Sequence, residues 1–398
     1  MFIKNKMPRE NYFDEHGGAD SCGLCGLINT SGGKVSMRDN IAMATQMEQN
    51  RGNGLGGGFA IYDNNLFEDN LKGCYVLQFF LMDGLNYKKV KRYLTSIPDI
   101  KIIYDEEIPT KKVPGISPPG LHRFFIKLNT ENEQNIISDL VMKINKGAER
   151  IEDAWVFSSG KNMLTFKGVG YPSQIAEFFR IEELYPEVQA ATAHSRFPTN
   201  TPGWWGGSHP FTLLDWSVIH NGEISSYGTN KRYLESSGYV CNLGTDTEVL
   251  VYLFDLLVRK HEIPIEIVSH ALSPPFWDEI NRMSEKEKRF YTALRQTYSS
   301  ALVNGPWTII IGFSGKLIPN GNFDSDEYGL GIFSDRIKLR PAIVAKKNGI
   351  VYFSSEESAI SSITSLDNII GVEAGRPIIA TTKGYTLNLE EKDELNLS

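Results

Sequence analysis

The stretch "QAATAHSRFPTNTPGWWGGSHPFTLLDWSVIHNGEI", residues 189–224, decides how the rest of the chain reads. "QAATAHSRF" is small and apolar enough for a buried strand. A loop with Trp204 and Trp205 follows, and "WSVIHNGEI" predicts a second strand. Further along, "GTDTEVLVYLFDLLVRK" (244–260) predicts a helix. Thr245 and Glu248 stand at the S/T-x-x-E spacing of a capping box.

Working outward, the same alternation of strand batches and helices returns. "CGLCGLI" (22–28) predicts a strand, and Ser36 is placed to cap a helix over 37–50 with Met37, Ile41, Ala44 and Met47 on one face. "RGNGLGGGFAIY" (51–62) turns into another strand. Residues 276–303 read as helical. "PWTIIIGF", "RPAIVAKK", "GIVYFSS" and "RPIIATT" are strands rich in β-branched residues. Strands in batches, not in strict β-α alternation, argue for an α+β chain of antiparallel sheets with helices stacked outside. Residues 76–180 differ: "YVLQFFLM", "KKVKRYLTSI", "HRFFIKLN" and "NIISDLVMKINKGAERI" predict strand, helix, strand, helix around a proline-rich connector at 109–120. They read as a small α+β unit inserted into the main domain.

Bulk properties remove several functions. The 398 residues carry 41 basic and 48 acidic side chains, a net charge of −7, with no basic run. Such a chain is a poor binder of nucleic-acid phosphate. No apolar run reaches membrane-span length. Residues 1–21 lack the apolar core of a secretory signal and read as an extended leader. Four cysteines in so long a chain are no disulfide framework, so a reducing, cytoplasmic setting is expected.

Two motifs mislead if read alone. Gly52, Gly54 and Gly57 match G-x-G-x-x-G, but a helix precedes them and a strand follows, the reverse of a dinucleotide site. The glycines are expected to make a tight turn with close backbone approach. Cys22 and Cys25 form C-x-x-C, yet a structural zinc needs four ligands and no second pair exists. A strand also points residues 22 and 25 to opposite faces. No metal is expected, and Cys25, Cys74 and Cys241 are expected to be buried and inert. Cys22 differs if the chain is cut after Ser21. An N-terminal cysteine carries its own base, an α-amino group of pKa roughly 7.7–8.0.

"CGLCGLI", "HSRFPTNTPGWWGGSHPF", "VIHNGEISSY" and "GTDTEV", in that order, resemble the class II glutamine amidotransferases, which are N-terminal-nucleophile hydrolases. The wording is most similar to the amidotransferase domain of glutamate synthase, and "SDRIKLRPAIVAKKNGIVYFSSEESAI" (334–360) resembles a further segment of it. The resemblance implies a four-layer α-β-β-α sandwich. The organisation would be a leader at 1–21, an amidotransferase domain from 22–75 and 181–398, and an insertion at 76–180.

The resemblance also implies the site. Cys22 would be the nucleophile. Asn221 and Gly222 would form the oxyanion hole. Arg196 would grip the α-carboxylate of L-glutamine, Asp246 would hold its α-ammonium, and Phe197 and Thr199 would line the substrate site. His194, His209 and His220 are expected to orient and pack, and Trp204 and Trp205 to wall or cover the pocket. Asp335, Arg336 and Arg340 are expected to form structural ion pairs. The activity implied is hydrolysis of glutamine to glutamate and ammonia, with ammonia passed to a separate synthase subunit. FMN and iron–sulfur centres would sit only on that partner, and this chain would need no cofactor. Alternatives are a different acceptor, as in N-methylglutamate-type synthesis, or a non-catalytic glutamine-sensing subunit.

Overall fold

A computed structural model describes residues 21–49, 51–82, 86–147, 154–197, 203–319, 321, 323–365 and 369–389. The expected leader, Ser21 excepted, therefore lies outside the described residues, as does Thr199.

Strand Gly23–Asn29 is the centre of a seven-stranded antiparallel sheet. Its neighbours are Ala190–Ser195 and Ile350–Ser354, and the sheet continues outward to Gly57–Tyr62 and Met163–Gly168 on one side. A six-stranded antiparallel sheet runs Phe211–Leu213, Trp216–Gly222, Trp307–Ser314, Tyr328–Ser334, Ile378–Thr381, Thr386–Leu387.

The two-residue repeat of Gly23–Asn29 dictates how these sheets stack. Leu24 and Ile28 join Ala60, Ile219, Ile310, Leu330 and Ile332 in a core between the sheets. Cys25 and Leu27 face the other way, into a core with Met37, Met43, Met47 and Ile175 from helices Met37–Glu48 and Pro172–Phe178. On the far side, helices Asp246–Phe254 and Ile265–Leu272 cover the six-stranded sheet through Val249, Leu250, Leu253, Val268 and Leu272 against Trp216, Val218 and Ile309. The layers are thus helix, sheet, sheet, helix, as expected.

The insertion has its own four-stranded sheet, in the order Ile100–Glu107, Gly120–Leu128, Tyr75–Leu81, Ala154–Ser158, with helices Asn86–Ser96 and Glu133–Asn145. Its boundary is narrower than the expected 76–180. Met163–Gly168 pairs with Gly57–Tyr62 in the main sheet, and Pro172–Phe178 packs on that sheet. The unit also packs into both main cores. Strand Tyr75–Leu81 is buried on both faces: Leu77, Phe79 and Leu81 meet the core under helix Asp246–Phe254, and Val76 and Phe80 meet the opposite one. The sequence missed strand Ile100–Glu107, an edge strand whose mixed burial follows no clean alternation.

Two caps differ from expectation. Ser36 stands at the N-cap of Met37–Glu48, but its hydroxyl makes no capping bond. Thr245 does accept the N–H of Thr247, whereas Glu248 reaches past the cap to the N–H groups of Asn242 and Leu243.

The glycine-rich turn follows the close-approach reading. Gly52 and Gly54 have φ of +85° and +74°. Gly58 lies between His194 and Lys167 in the sheet, where a Cβ would come 2.2 Å from the His209 carbonyl oxygen. Backbone cannot yield there as a flexible side chain would. Gly58→Ala is expected to lower stability by about 1–3 kcal/mol or more, read as a lower urea midpoint at unchanged slope.

Candidate active site

The site forms where the two sheets end together. The antiparallel register sets Gly23 opposite Ser195, so one step further places Cys22 beside Arg196. Leu24 and Ile219 face the inter-sheet space, so Cys22 and Asn221, each two residues away, occupy that same face. Backbone geometry alone therefore brings together residues separated by nearly half the chain.

A cleft of about 360 Å³ opens there, lined by Cys22, Arg196, Phe197, Gly222 and Asp246 among others. Cys22 is partly buried, and the Phe197 N–H donates to its Sγ over 3.3 Å. Burial pushes the Cys22 thiol up to about 11, against the lowering influence of the Phe197 N–H and the Arg196 guanidinium. Just before it, the Ser21 hydroxyl accepts from Arg51, which also pairs with Glu356.

Asn221 is buried, and its Nδ2 has no acceptor among the described residues. A buried amide N–H₂ left unpaired costs free energy unless a ligand uses it. Gly222 has φ of +139°, and a Cβ there would lie 1.9 Å from the Pro306 oxygen, so no other residue fits. Asn221-Gly222 is not a hairpin turn; it ends a strand paired to Thr308 and Trp307.

Asp246 begins its helix, where the helix dipole favours an anion. Burial works to raise its pKa, yet the His220 ring, the Ile224 N–H and the Thr247 hydroxyl together hold the carboxyl below its usual value. Its Oδ2 accepts the Ile224 N–H at 3.0 Å, and its Oδ1 lies 3.4 Å from His220 Nδ1. Arg196 is buried, its chain running over Gly56 and past Gly207, where added Cβ atoms would lie 2.8 Å from Arg196 Cδ and 3.4 Å from its guanidinium. One cationic and one anionic side chain thus share a cleft with a thiol and with Gly222, the residue after Asn221.

His194, His209 and His220 are all buried and bonded to neighbours, and none is placed against Cys22 by a hydrogen bond among the described residues. Neither Trp204 nor Trp205 is among the residues that line the cleft. Trp205 donates to the Ser117 carbonyl at 3.0 Å and packs its edge on Phe80 and Phe178, tying the loop to the insertion. The buried Lys167 clamps that loop by donating to the Gly206 and Ser208 carbonyls. Asp335, Arg336 and Arg340 form no ion pair among the described residues. Asp335 instead accepts the N–H groups of Trp307, Ile337 and Leu339. Arg336 lies over the Phe276 ring. Thr247, at the back of the cleft, escaped the sequence reading although it stands inside "GTDTEV".

All four cysteines are free, and no group of three or more His, Cys, Asp or Glu able to hold a metal occurs among the described residues. No helix among them is long and apolar enough to cross a membrane.

Four layers of this topology with a cysteine at the sheet end are what the resemblance to N-terminal-nucleophile amidotransferases implied. The family profile of class II glutamine amidotransferases matches residues 114–244, which include Arg196, Asn221 and Gly222. An uncharacterized protein of Archaeoglobus fulgidus is 45% identical over 379 residues, covering 94% of this chain and 95% of its own length. The glutamate synthase [NADPH] large chain of Bacillus subtilis is 27% identical over 270 residues, 61% of this chain but 16% of that protein. A glutamine–fructose-6-phosphate aminotransferase of Vibrio vulnificus is 29% identical over 117 residues, 29% of this chain and 19% of that protein. Residues 114–244 thus match the class II glutamine amidotransferase family, and the chain is similar, over part of its length, to a glutamate synthase and to a glutamine–fructose-6-phosphate aminotransferase.

A thiol raised to about 11 is ionised to only about one part in a thousand at pH 8. With Ser21 still attached, iodoacetamide should label Cys22 slowly, about tenfold faster for each pH unit up to that value. Peptide mass spectrometry over a pH series measures this, and a flat profile between pH 7 and 9 contradicts it.

Proposed function

We propose that this chain is a glutaminase subunit that hydrolyses L-glutamine through a Cys22 thioester and delivers the ammonia to a separate synthase subunit, that of glutamate synthase. One observation supports the reading above others: a thiol, a buried arginine, an ionised aspartate and Gly222 line one cleft, and the buried Asn221 amide next to Gly222 has no acceptor among the described residues.

In this reading the α-carboxylate of glutamine meets Arg196 and its α-ammonium meets Asp246. Opposite charges at a fixed separation hold the amino-acid end and leave the amide at Cys22. Phe197 and Thr199 complete the substrate site. The Cys22 sulfur forms a bond to the amide carbon, and the carbonyl oxygen takes the negative charge. Asn221 Nδ2–H and the Gly222 N–H hold that oxyanion, and each such donor is worth about 3–4 kcal/mol in the transition state. The α-amine of Cys22, freed by a cut after Ser21, accepts the thiol proton and gives it to the departing nitrogen as the C–N bond breaks. Water then attacks the thioester, releasing glutamate and restoring the thiol.

Free ammonia is protonated and lost in water, so transfer to an adjoining subunit is the chemically sensible course. The match to glutamate synthase supports 2-oxoglutarate as the final acceptor. FMN and iron–sulfur centres would belong to that partner, and this chain would work without a cofactor. Four unpaired cysteines support a reducing, cytoplasmic setting.

Ammonia release from glutamine should vanish in Cys22→Ala with an unchanged unfolding midpoint, and Cys25→Ala should have a mild effect. Asp246→Ala should raise KM for glutamine by about tenfold or more, since a charged hydrogen-bonding partner is lost. An unchanged KM removes Asp246 from the substrate site. The intact mass of active protein should begin at Cys22; full activity with residues 1–21 attached would show that the base is not the α-amine.

A further inference from the structure

Behind Asp246 lies a buried junction whose proton positions can be worked out. Thr247 is fully buried, and its Oγ1 lies 3.3 Å from Asp246 Oδ1, 2.7 Å from His209 Nε2 and 3.2 Å from His220 Nδ1. A hydroxyl has one proton to give and two lone pairs to accept with. The ionised carboxylate can only accept, so the Thr247 proton goes to Asp246. Both imidazoles must then donate to Thr247, which makes His209 the Nε2–H tautomer and sets a proton on His220 Nδ1.

The surroundings agree. His194 Nε2 lies 3.0 Å from the His220 carbonyl oxygen and must donate to it, and its ring stacks on His209 at 3.9 Å. The remaining nitrogens, His194 Nδ1, His209 Nδ1 and His220 Nε2, have no partner among the described residues, as bare lone pairs would. Burial above all lowers the His209 pKa well below its usual value, and the Arg196 and Lys167 cations lower it further.

We propose that Thr247 is a positioning residue for recognition of the substrate α-ammonium: with two imidazole N–H groups fixing its oxygen, its hydroxyl directs the Asp246 carboxylate into the cleft. This rests on the reading of the cleft as a glutamine site. The Ile224 N–H reaches Oδ2, so without Thr247 the other oxygen keeps, among the described residues, just the His220 ring at 3.4 Å. Loss of the hydroxyl acts on the ammonium end of the substrate and leaves the thiol and the Asn221-Gly222 pair as they were.

The test compares the native protein, Thr247→Val and Thr247→Ser on two substrates: L-glutamine, and glutaramate, the same amide without the α-amino group. For Thr247→Val, KM for glutamine should rise about tenfold with kcat within about twofold, the scale of a hydrogen bond to a charged group. Thr247→Ser should restore the native KM, and glutaramate hydrolysis should be alike in all three. A native KM in Thr247→Val, or an equal loss on both substrates, overturns the positioning role. Failure of the native protein to hydrolyse glutamine overturns the functional reading and this role with it. Should Thr247→Val not fold, nitrogen-15 NMR of the native histidines still decides. Protons on His209 Nε2 and His220 Nδ1 are expected, and a bare nitrogen at either place overturns the junction.

Discussion

Everything at the cleft depends on the register of strand Gly23–Asn29 between Ala190–Ser195 and Ile350–Ser354. That register sets which side chains enter the inter-sheet core and which face the helices. A slip of one residue would exchange Leu24 and Ile28 for Cys25 and Leu27 and carry Cys22 away from Asn221. Both faces of the strand are buried, so neither set can be exposed without losing about 1.5–3 kcal/mol for each large apolar side chain.

The same constraint explains the glycines. Gly58 lets the His209 carbonyl approach the sheet, and Gly56 and Gly207 leave room along Arg196. Arg196 is thereby held against backbone, which suits a guanidinium meant for one orientation. Lys167 reinforces the arrangement from the neighbouring strand by fixing the carbonyls of the loop that leads to His209. Rigidity here comes from close backbone contact and from satisfied buried donors, and the insertion adds to it by packing Phe80 against Trp205.

Much of this was legible along the chain because it is local. The strand at 22–28, the helix after "GTDTEV" and the order of the motifs follow from periodicity and residue type. The strand batches pointed to antiparallel sheets with helices outside, and the family resemblance supplied the four-layer stack. The boundary of the insertion was not legible: "MLTFKG" looks like any short strand, and only its pairing with Gly57–Tyr62 assigns it to the main sheet. The fate of the tryptophans and of Asp335 was equally hidden, because an indole or a carboxylate takes whichever partners the packing brings.

The sequence by itself determined the candidate chemistry: a cysteine, an Asn-Gly pair, an arginine and an aspartate in family order. It could do so because those residue types have few substitutes in that chemistry. Tertiary structure alone decided which neighbours hold them. The proton arrangement around Thr247 arises from four side chains on three separate elements, meeting at hydrogen-bond distance. No spacing along the chain encodes such a meeting, since hydrogen-bond geometry is fixed in space and not in sequence.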